Sequence, residues 1–426
     1  MLDTALGRIW ASPRILADHR AICATGGRFA GTESEARARE WLAVRLAEAT
    51  GAAVERERIP YRGWTRGPAS AAGPDGRVWP AQALGRSPAD EVTAKLLDLG
   101  RGTPAEIAAA GAAVRGAILL VRHEFMVGMG HVHRRAKYDA ARAAGAAGFL
   151  IACHEPGGLP VTGSAGDGGP GNIPCAGISF EAGAALREAA GRPVTLRTAG
   201  AFADASAENL FATIPGRGPE LVVLSAHYDG HDLAESAIDN ATGLACALAV
   251  AEAVRGIVPG LARGLQVAFF GIEEWALLGS REHLRRIGEA ERARRVLNVN
   301  LDSLAGADGL TALTSGVSGM GRFVAEALAP AGLAIGTHAP FMGNSDHANY
   351  IRARVPALRL CCGFDQPGSN MRFLLTPADT ADKVHPHQLK TAATVAVALV
   401  LAACAAPTPP VPRLDAAMAE RIAGPL

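Results

Sequence analysis

The sequence predicts an α/β protein, a mostly parallel central sheet flanked by helices, interrupted by a smaller inserted domain. Three observations carry this. Residues 221–226, 265–270 and 296–301 are short, largely apolar runs of strand length, as expected of parallel strands buried on both faces. An Ala, Leu and Val pattern with helical spacing follows the first of them, over residues 244–254. Between about residues 80 and 205 the character changes to Gly and Pro clusters around short apolar segments, which marks the insertion. The division is therefore 1–79 and 206–426 for the main domain, with 80–205 inserted.

The chain has 426 residues, of which 49% are hydrophobic and 19% charged, enough for one large core. A formal net charge of +1 offers no electrostatic basis for binding nucleic acid or an anionic membrane, and neither partner is expected. Seven cysteines, Cys23, Cys153, Cys175, Cys246, Cys361, Cys362 and Cys404, lack metal-type spacing and are expected as free core thiols in a reducing compartment. The first thirty residues carry Asp3, Arg8, Arg14, Asp18 and Arg20, so no uncharged signal-peptide core is expected there, and the expected location is cytoplasmic. The apolar run 392–406 is shorter than the roughly 20 residues that cross a bilayer and is expected to be a core helix.

In chain order, Gly26-Gly27-Arg28-Phe29-Ala30-Gly31-Thr32 predicts a tight turn whose Thr32 caps a helix through Leu46. Residues 54–59 are expected as an edge strand. In the insertion, residues 117–121 and 148–152 are strands around an Ala-rich helix over 137–146, a β-α-β unit, with a further strand at 173–178. His131-Val132-His133 is expected in a polar loop that contacts substrate or the main cleft. The glycines of 163–171 lack the Gly-Lys-Ser/Thr ending of a phosphate cradle and are expected to form a loop. Further on, residues 310–313 and 355–360 are strands, 319–328 is a helix, and 339–350 leads into another. Arg372 is expected to pair with a structural acid or to meet a substrate carboxylate.

The chemistry lies at the carboxyl ends of the three central strands. They deliver His227 and Asp229, then Glu273 and Glu274 ahead of a helix expected from Trp275, then Asp302; Asp239 sits at the entrance of the helix between. In an open α/β sheet those ends face one crevice. Carboxylates gathered there repel, and burying them unpaired costs several kcal/mol each or forces protonation. A divalent cation removes that cost, and the mixed set His227, Asp239, Glu274 and Asp302 suits zinc, with Asp239 placed to bridge two ions about 3.5 to 4 Å apart. Glu273 is left over. A carboxylate beside the ligands can take the proton of a water whose pKa zinc lowers to about 7, which is chemistry that hydrolyses amides.

The motifs His227-x-Asp229, Ile238-Asp239-Asn240-Ala241-Thr242-Gly243, Glu273-Glu274 and Asn300-Leu301-Asp302 resemble those of the di-zinc exopeptidases, a family that includes bacterial aminopeptidases, carboxypeptidase Q and glutamate carboxypeptidase. The resemblance implies that His227 and Asp302 hold one zinc, that Glu274 helps hold another, that Asp239 bridges them, that Glu273 is the general base and that Asp229 orients an imidazole. It also implies that the insertion is a protease-associated-like domain roofing the cleft, and that Ser345-Asp346-His347 lines it. One departure stands out: where the family has a histidine before Thr-x-x-Asp-Thr, this chain has Leu375 before Thr376. One or two zinc ions are thus open, and His231, His347, His385, His387, His131 and His133 are the candidate replacement donors. The expected function is a zinc-dependent aminopeptidase acting on small peptides. Carboxypeptidase or dipeptidase action, an amidohydrolase or glutaminyl-cyclase-like reaction, and an inactive binding homologue are the alternatives, and a homo-oligomer is left open.

Overall fold

The computed structural model describes residues 1–426. Its strands are β1 (Glu55–Ala72), β2 (Val78–Ala83), β3 (Asp90–Asp98), β4 (Ile118–Arg122), β5 (Gly148–Ala152), β6 (Cys175–Ile178), β7 (Pro193–Ile214), β8 (Leu221–His227), β9 (Gly264–Phe270), β10 (Arg295–Leu301), β11 (Leu310–Leu313), β12 (Gly336–His338) and β13 (Ala357–Cys362). The main sheet runs β7-β9-β8-β10-β13-β11-β12, and β9, β8, β10 and β13 are mutually parallel. Every residue of β8, β9, β10 and β13 is buried. That is why these segments read as continuous apolar runs rather than as alternating ones.

The apolar helices Thr242–Val254 and Pro386–Ala405 pack against each other and against this sheet. By length and composition the segments Ala237–Val254 and Pro386–Ala405 could cross a membrane, yet they are 94% and 72% buried within the protein's own core. The expectation of a core helix near the C-terminus is met. All seven cysteines are buried and free.

The insertion folds as a ring of strands. β1 pairs with β2, β2 with β6, then β5, β4, β3 and β7, and β7 pairs back with β1, closing the circuit. Two strands serve both halves: β1 and β7 run antiparallel from Glu55 to Ala72, with their outer parts in the insertion and their inner parts at the border of the main sheet. Position 205/206 accordingly lies inside β7. The segment expected as a short edge strand over 54–59 is the first third of β1; the charges of Glu55 to Arg58 alternate on an exposed edge and concealed its continuation. A second, smaller core fills the ring, built from residues such as Leu120, Leu150, Ile178 and Leu196, while Leu119, Val121, Phe149 and Ile151 on the opposite side of β4 and β5 belong to the main core.

Helix boundaries follow local chemistry. Thr32 accepts from Glu35 N at 3.3 Å and caps the helix Glu33–Thr50, which Gly51 ends in the left-handed region. The insertion's helix is Arg134–Ala143 rather than 137–146, because the His133 ring accepts from Arg135 N and Gly145 at φ 82 stops it. The helix expected from Trp275 starts at Leu278, since Ala276 and Leu277 both take positive φ.

The turn at Gly26 to Thr32 is a structural clamp. Arg28 is fully buried and donates to Tyr228 O at 2.9 Å, Glu235 O at 2.7 Å and Ser236 O at 2.7 Å, which fixes the loop after β8. Gly27 is required there, because a Cβ would lie 2.0 Å from His231 O. Behind the same loop, the His19 ring meets Ala237 O at 3.0 Å. Burial pushes the His19 pKa down to about 4, from an ordinary 6.5. The unfolded chain therefore binds more protons between those values, and stability falls as pH drops through that window. His19 is expected to contribute a loss on the order of 2 kcal/mol between pH 7 and pH 5. Urea denaturation of wild type and His19→Gln should show a shallower pH dependence in the variant.

Candidate metal and catalytic centre

The ends of β8, β9 and β10 open onto a cavity of about 900 Å³ whose floor includes Asp239, Glu273, Glu274 and Asp302. His227 closes β8, Asp302 follows β10, and Glu273-Glu274 follow β9 after a two-residue turn in which Ile272 takes φ 52. Asp239 lies in the turn Ala237–Ala241 at the head of the helix Thr242–Val254, with φ and ψ outside the helical range.

Three of the expected ligands converge. His227 Nε2 is 3.1 Å from Asp239 Oδ1 and 3.9 Å from Asp302 Oδ1, and the three donor atoms lie within 4.8 Å of one another, all buried. His227 Nδ1 is 3.0 Å from the carbonyl oxygen of Asp229, which can only accept. The proton is thereby assigned to Nδ1, and Nε2 presents its lone pair to the cluster. The Asp229 carboxylate does something else: it accepts from Glu273 N at 3.0 Å and Glu274 N at 3.1 Å. The orienting atom for the imidazole is thus a backbone oxygen, while the side chain, 3.7 Å from the ring, holds the Glu273-Glu274 turn.

Other supports come from distant segments. Asp379 accepts from Ile238 N at 2.7 Å and Asp239 N at 3.3 Å, and Asn240 donates to Leu301 O at 2.9 Å while accepting from Ser303 N. Arg359, on β13, pairs with Asp302 at 3.2 Å. Burial acts to raise the Asp302 pKa, but Arg359 and His227 outweigh it and hold the carboxyl below its ordinary range. Glu273 is displaced upward, by burial first and by the carboxylates of Glu274, Asp346 and Asp302, with His227 opposing.

Glu274 stands apart from the trio. Its Oε1 is 2.6 Å from His231 Nε2, with both side chains buried, although the approach is not aligned for a ring N–H hydrogen bond. Leu375 is buried, takes φ 63 and presents an apolar wall to the cavity. Of the candidate donors, His231 alone contacts a site carboxylate. His131 and His133 line the cavity in a loop, as expected. His385 caps the helix Pro386–Ala405. His347 is buried, and its neighbours in the segment turn to structure: Ser345 Oγ accepts from Asn300 and Asp346 from Ser280 Oγ at 2.5 Å. Arg372 pairs with Glu155 at 3.3 Å, the structural outcome.

The donor set fits a divalent ion. His227, Asp239 and Asp302 supply one imidazole nitrogen and two carboxylate oxygens, with Arg359 the one arginine ion-paired to the trio, which leaves the site a net acceptor of positive charge. Asp379 and Arg359 were not picked out from sequence, and His231 was picked out as a candidate metal donor rather than as the partner of Glu274. A charged Arg359 inside an otherwise apolar strand was a usable signal; the partners of Asp379 and His231 are far away in the chain.

The Asp229 contacts generate a stability prediction. Asn at 229 keeps one acceptor and turns its amide group toward a backbone N–H, leaving a buried donor unpaired. Asp229→Asn is expected to lose about 2 to 3 kcal/mol in urea denaturation with chelator present, a condition in which metal affinity plays no part.

Residues 209–400 match peptidase family M28, and residues 81–186 match the PA domain. Aminopeptidase YwaD of Bacillus subtilis (strain 168) is 26% identical over 388 residues, 88% of this chain and 81% of that protein. The aminopeptidase of Aneurinibacillus sp. strain AM-1 superposes with a TM-score of 0.73 at 22% identity, over 97% of this chain and 99% of the other. A peptidase M28 precursor from Shewanella amazonensis SB2B gives 0.79 at 22% identity, over 97% and 98%. At that identity these two likenesses speak to the fold. The match to peptidase family M28 thus lies across the strands that build the cluster, and the match to the PA domain lies within the insertion.

Proposed function

We propose that the protein is a zinc-dependent exopeptidase, an aminopeptidase that hydrolyses small peptides in the cavity above β8, β9 and β10. The observation that carries this is the juxtaposition of a three-donor cluster, His227, Asp239 and Asp302, with a buried carboxylate, Glu273, in the same cavity. A site that only bound metal would have no use for Glu273. The relatives named aminopeptidases, and their coverage of nearly the whole chain, support the same reading.

His227, Asp239 and Asp302 would hold the zinc, which would supply a Lewis acid for the scissile carbonyl and the attacking water. Glu273 takes the water's proton and hands it to the leaving amine, and its upward-displaced pKa suits a group that must both accept and release a proton. Asp229 holds Glu273 in place through the backbone amide, and Arg359 keeps Asp302 ionised and facing His227. Leu375 and His131 bound the cavity and restrict the water that reaches the reacting bond.

Glu274 engaged with His231, and an apolar side chain at 375, favour one tightly held ion over two. Metal analysis of dialysed protein is expected to return one equivalent of zinc per chain. Two equivalents would mean that Glu274 leaves His231 to help hold a second ion.

Glu273→Gln is expected to lower kcat on an aminoacyl substrate by about 10²- to 10⁴-fold while retaining metal. Chelation should abolish turnover in the wild type and added zinc restore it. A Glu273→Gln protein as active as wild type, with equal metal content, would remove the residue from the mechanism.

A further inference from the structure

The cavity that holds the carboxylates is also lined by Arg134 and Arg135 from the insertion and by Arg281 and Arg285 from the main domain. Arg134 is 5% exposed, and its guanidinium lies flat on Gly163, where a Cβ would sit 2.2 Å from Cζ. Its Nε donates to Ser164 O at 3.0 Å and its Nη1 lies 3.5 Å from the His133 ring, but it forms no ion pair. Arg86 stands behind it, 7% exposed, with Nε and Nη2 both unpartnered and no ion pair. Arg281 has a buried Nε without a hydrogen-bond partner; the Glu282 carboxylate is 3.8 Å away. Arg135 pairs with Asp139 at 3.5 Å and Arg285 with the same Glu282 at 3.5 Å, all of them at least partly exposed, whereas Arg134 and Arg86 have no acid partner.

These groups act on one another. Burial first, with Arg135, Arg134 and Arg281 adding to it and Asp167 opposing, lowers the Arg86 pKa to about 10. Burial likewise lowers Arg134, with Glu274, Glu273 and Asp239 opposing, and all four residues line the same cavity. Buried guanidiniums that repel one another and leave N–H donors unpaired are costly, and a planar anion relieves both costs at once by accepting in the forked geometry that arginine offers.

We infer that Arg134, Arg135 and Arg281, backed by Arg86, form a carboxylate-binding subsite on the cavity wall, so that the substrates are short peptides carrying a carboxylate beside the scissile bond. This rests on the peptidase reading of the same cavity. The carboxylate is either the free α-carboxylate of a dipeptide or the side chain of Asp or Glu.

Four peptides separate the sources: Ala-Ala, Ala-Ala amide, Ala-Asp amide and Ala-Asn amide, assayed as substrates of the zinc-loaded protein and, by calorimetry, as ligands of zinc-loaded Glu273→Gln. A charge-assisted bidentate contact predicts a preference of about 10- to 100-fold in kcat/KM and in Kd for the carboxylate member of one pair. Ala-Ala over its amide assigns the α-carboxylate; Ala-Asp amide over Ala-Asn amide assigns the side chain. In Arg134→Gln, and independently in Arg281→Gln should the first variant fold poorly, that ratio should collapse toward one, mainly through KM. Ratios near one, or below one, in both wild-type turnover and Glu273→Gln binding would overturn the subsite while leaving the hydrolase intact. No turnover of any peptide, with the Kd preference preserved, would sink the hydrolase and keep the subsite.

Discussion

Confinement of negative charge is the constraint on which this structure depends. Asp229, Asp239, Glu273, Glu274 and Asp302 are all buried at one end of a parallel sheet, a placement that is untenable unless each carboxylate is answered. The answers differ. Two backbone amides satisfy Asp229, an arginine faces Asp302, an imidazole sits against Glu274, and His227, Asp239 and Asp302 are left converging on one point. The remaining charge is what makes that point attractive to a cation, and Glu273, outside the trio but beside it, is what makes a bound cation useful.

Much of this was legible in the sequence because parallel strands buried on both faces are apolar throughout, so the first polar residue after each run marks the sheet's active edge. His227, Glu273, Glu274 and Asp302 were found in that way, and Asp239 by its position at a helix entrance. The missing information was of a different kind. That Glu274 lies against His231, that Asp379 receives the amides before Asp239, and that Arg359 faces Asp302 are pairings across tens to more than a hundred residues, and no local period reports them. The arginine wall is the clearest case. Its members come from a turn after β2, from the first residues of a helix in the insertion and from a helix after β9, and each alone reads as an ordinary surface cation. Local backbone strain was hidden too: positive φ at Ala276 and Leu277 delayed a helix that composition alone would begin at Trp275.

The insertion is less separate than its composition suggests. β4 and β5 show one face to the insertion's own small core and the other to the main core; the insertion's loops reach the main domain through Thr162 N to Leu375 O at 2.8 Å and Glu155 to Arg372 at 3.3 Å, and Arg66 of β1 pairs with Asp232 at 2.8 Å. The wall that it contributes is therefore held by packing rather than draped over the opening, as a recognition surface must be if it is to discriminate between ligands.

The ribbon of β1 and β7 sets how the molecule handles its substrates mechanically. A linker of coil would let the two halves swing, and a bulky polypeptide could be admitted by gaping. An antiparallel ladder shared by both halves, with one register shift between Arg66 and Ala69, resists bending and holds the two halves at a fixed spacing.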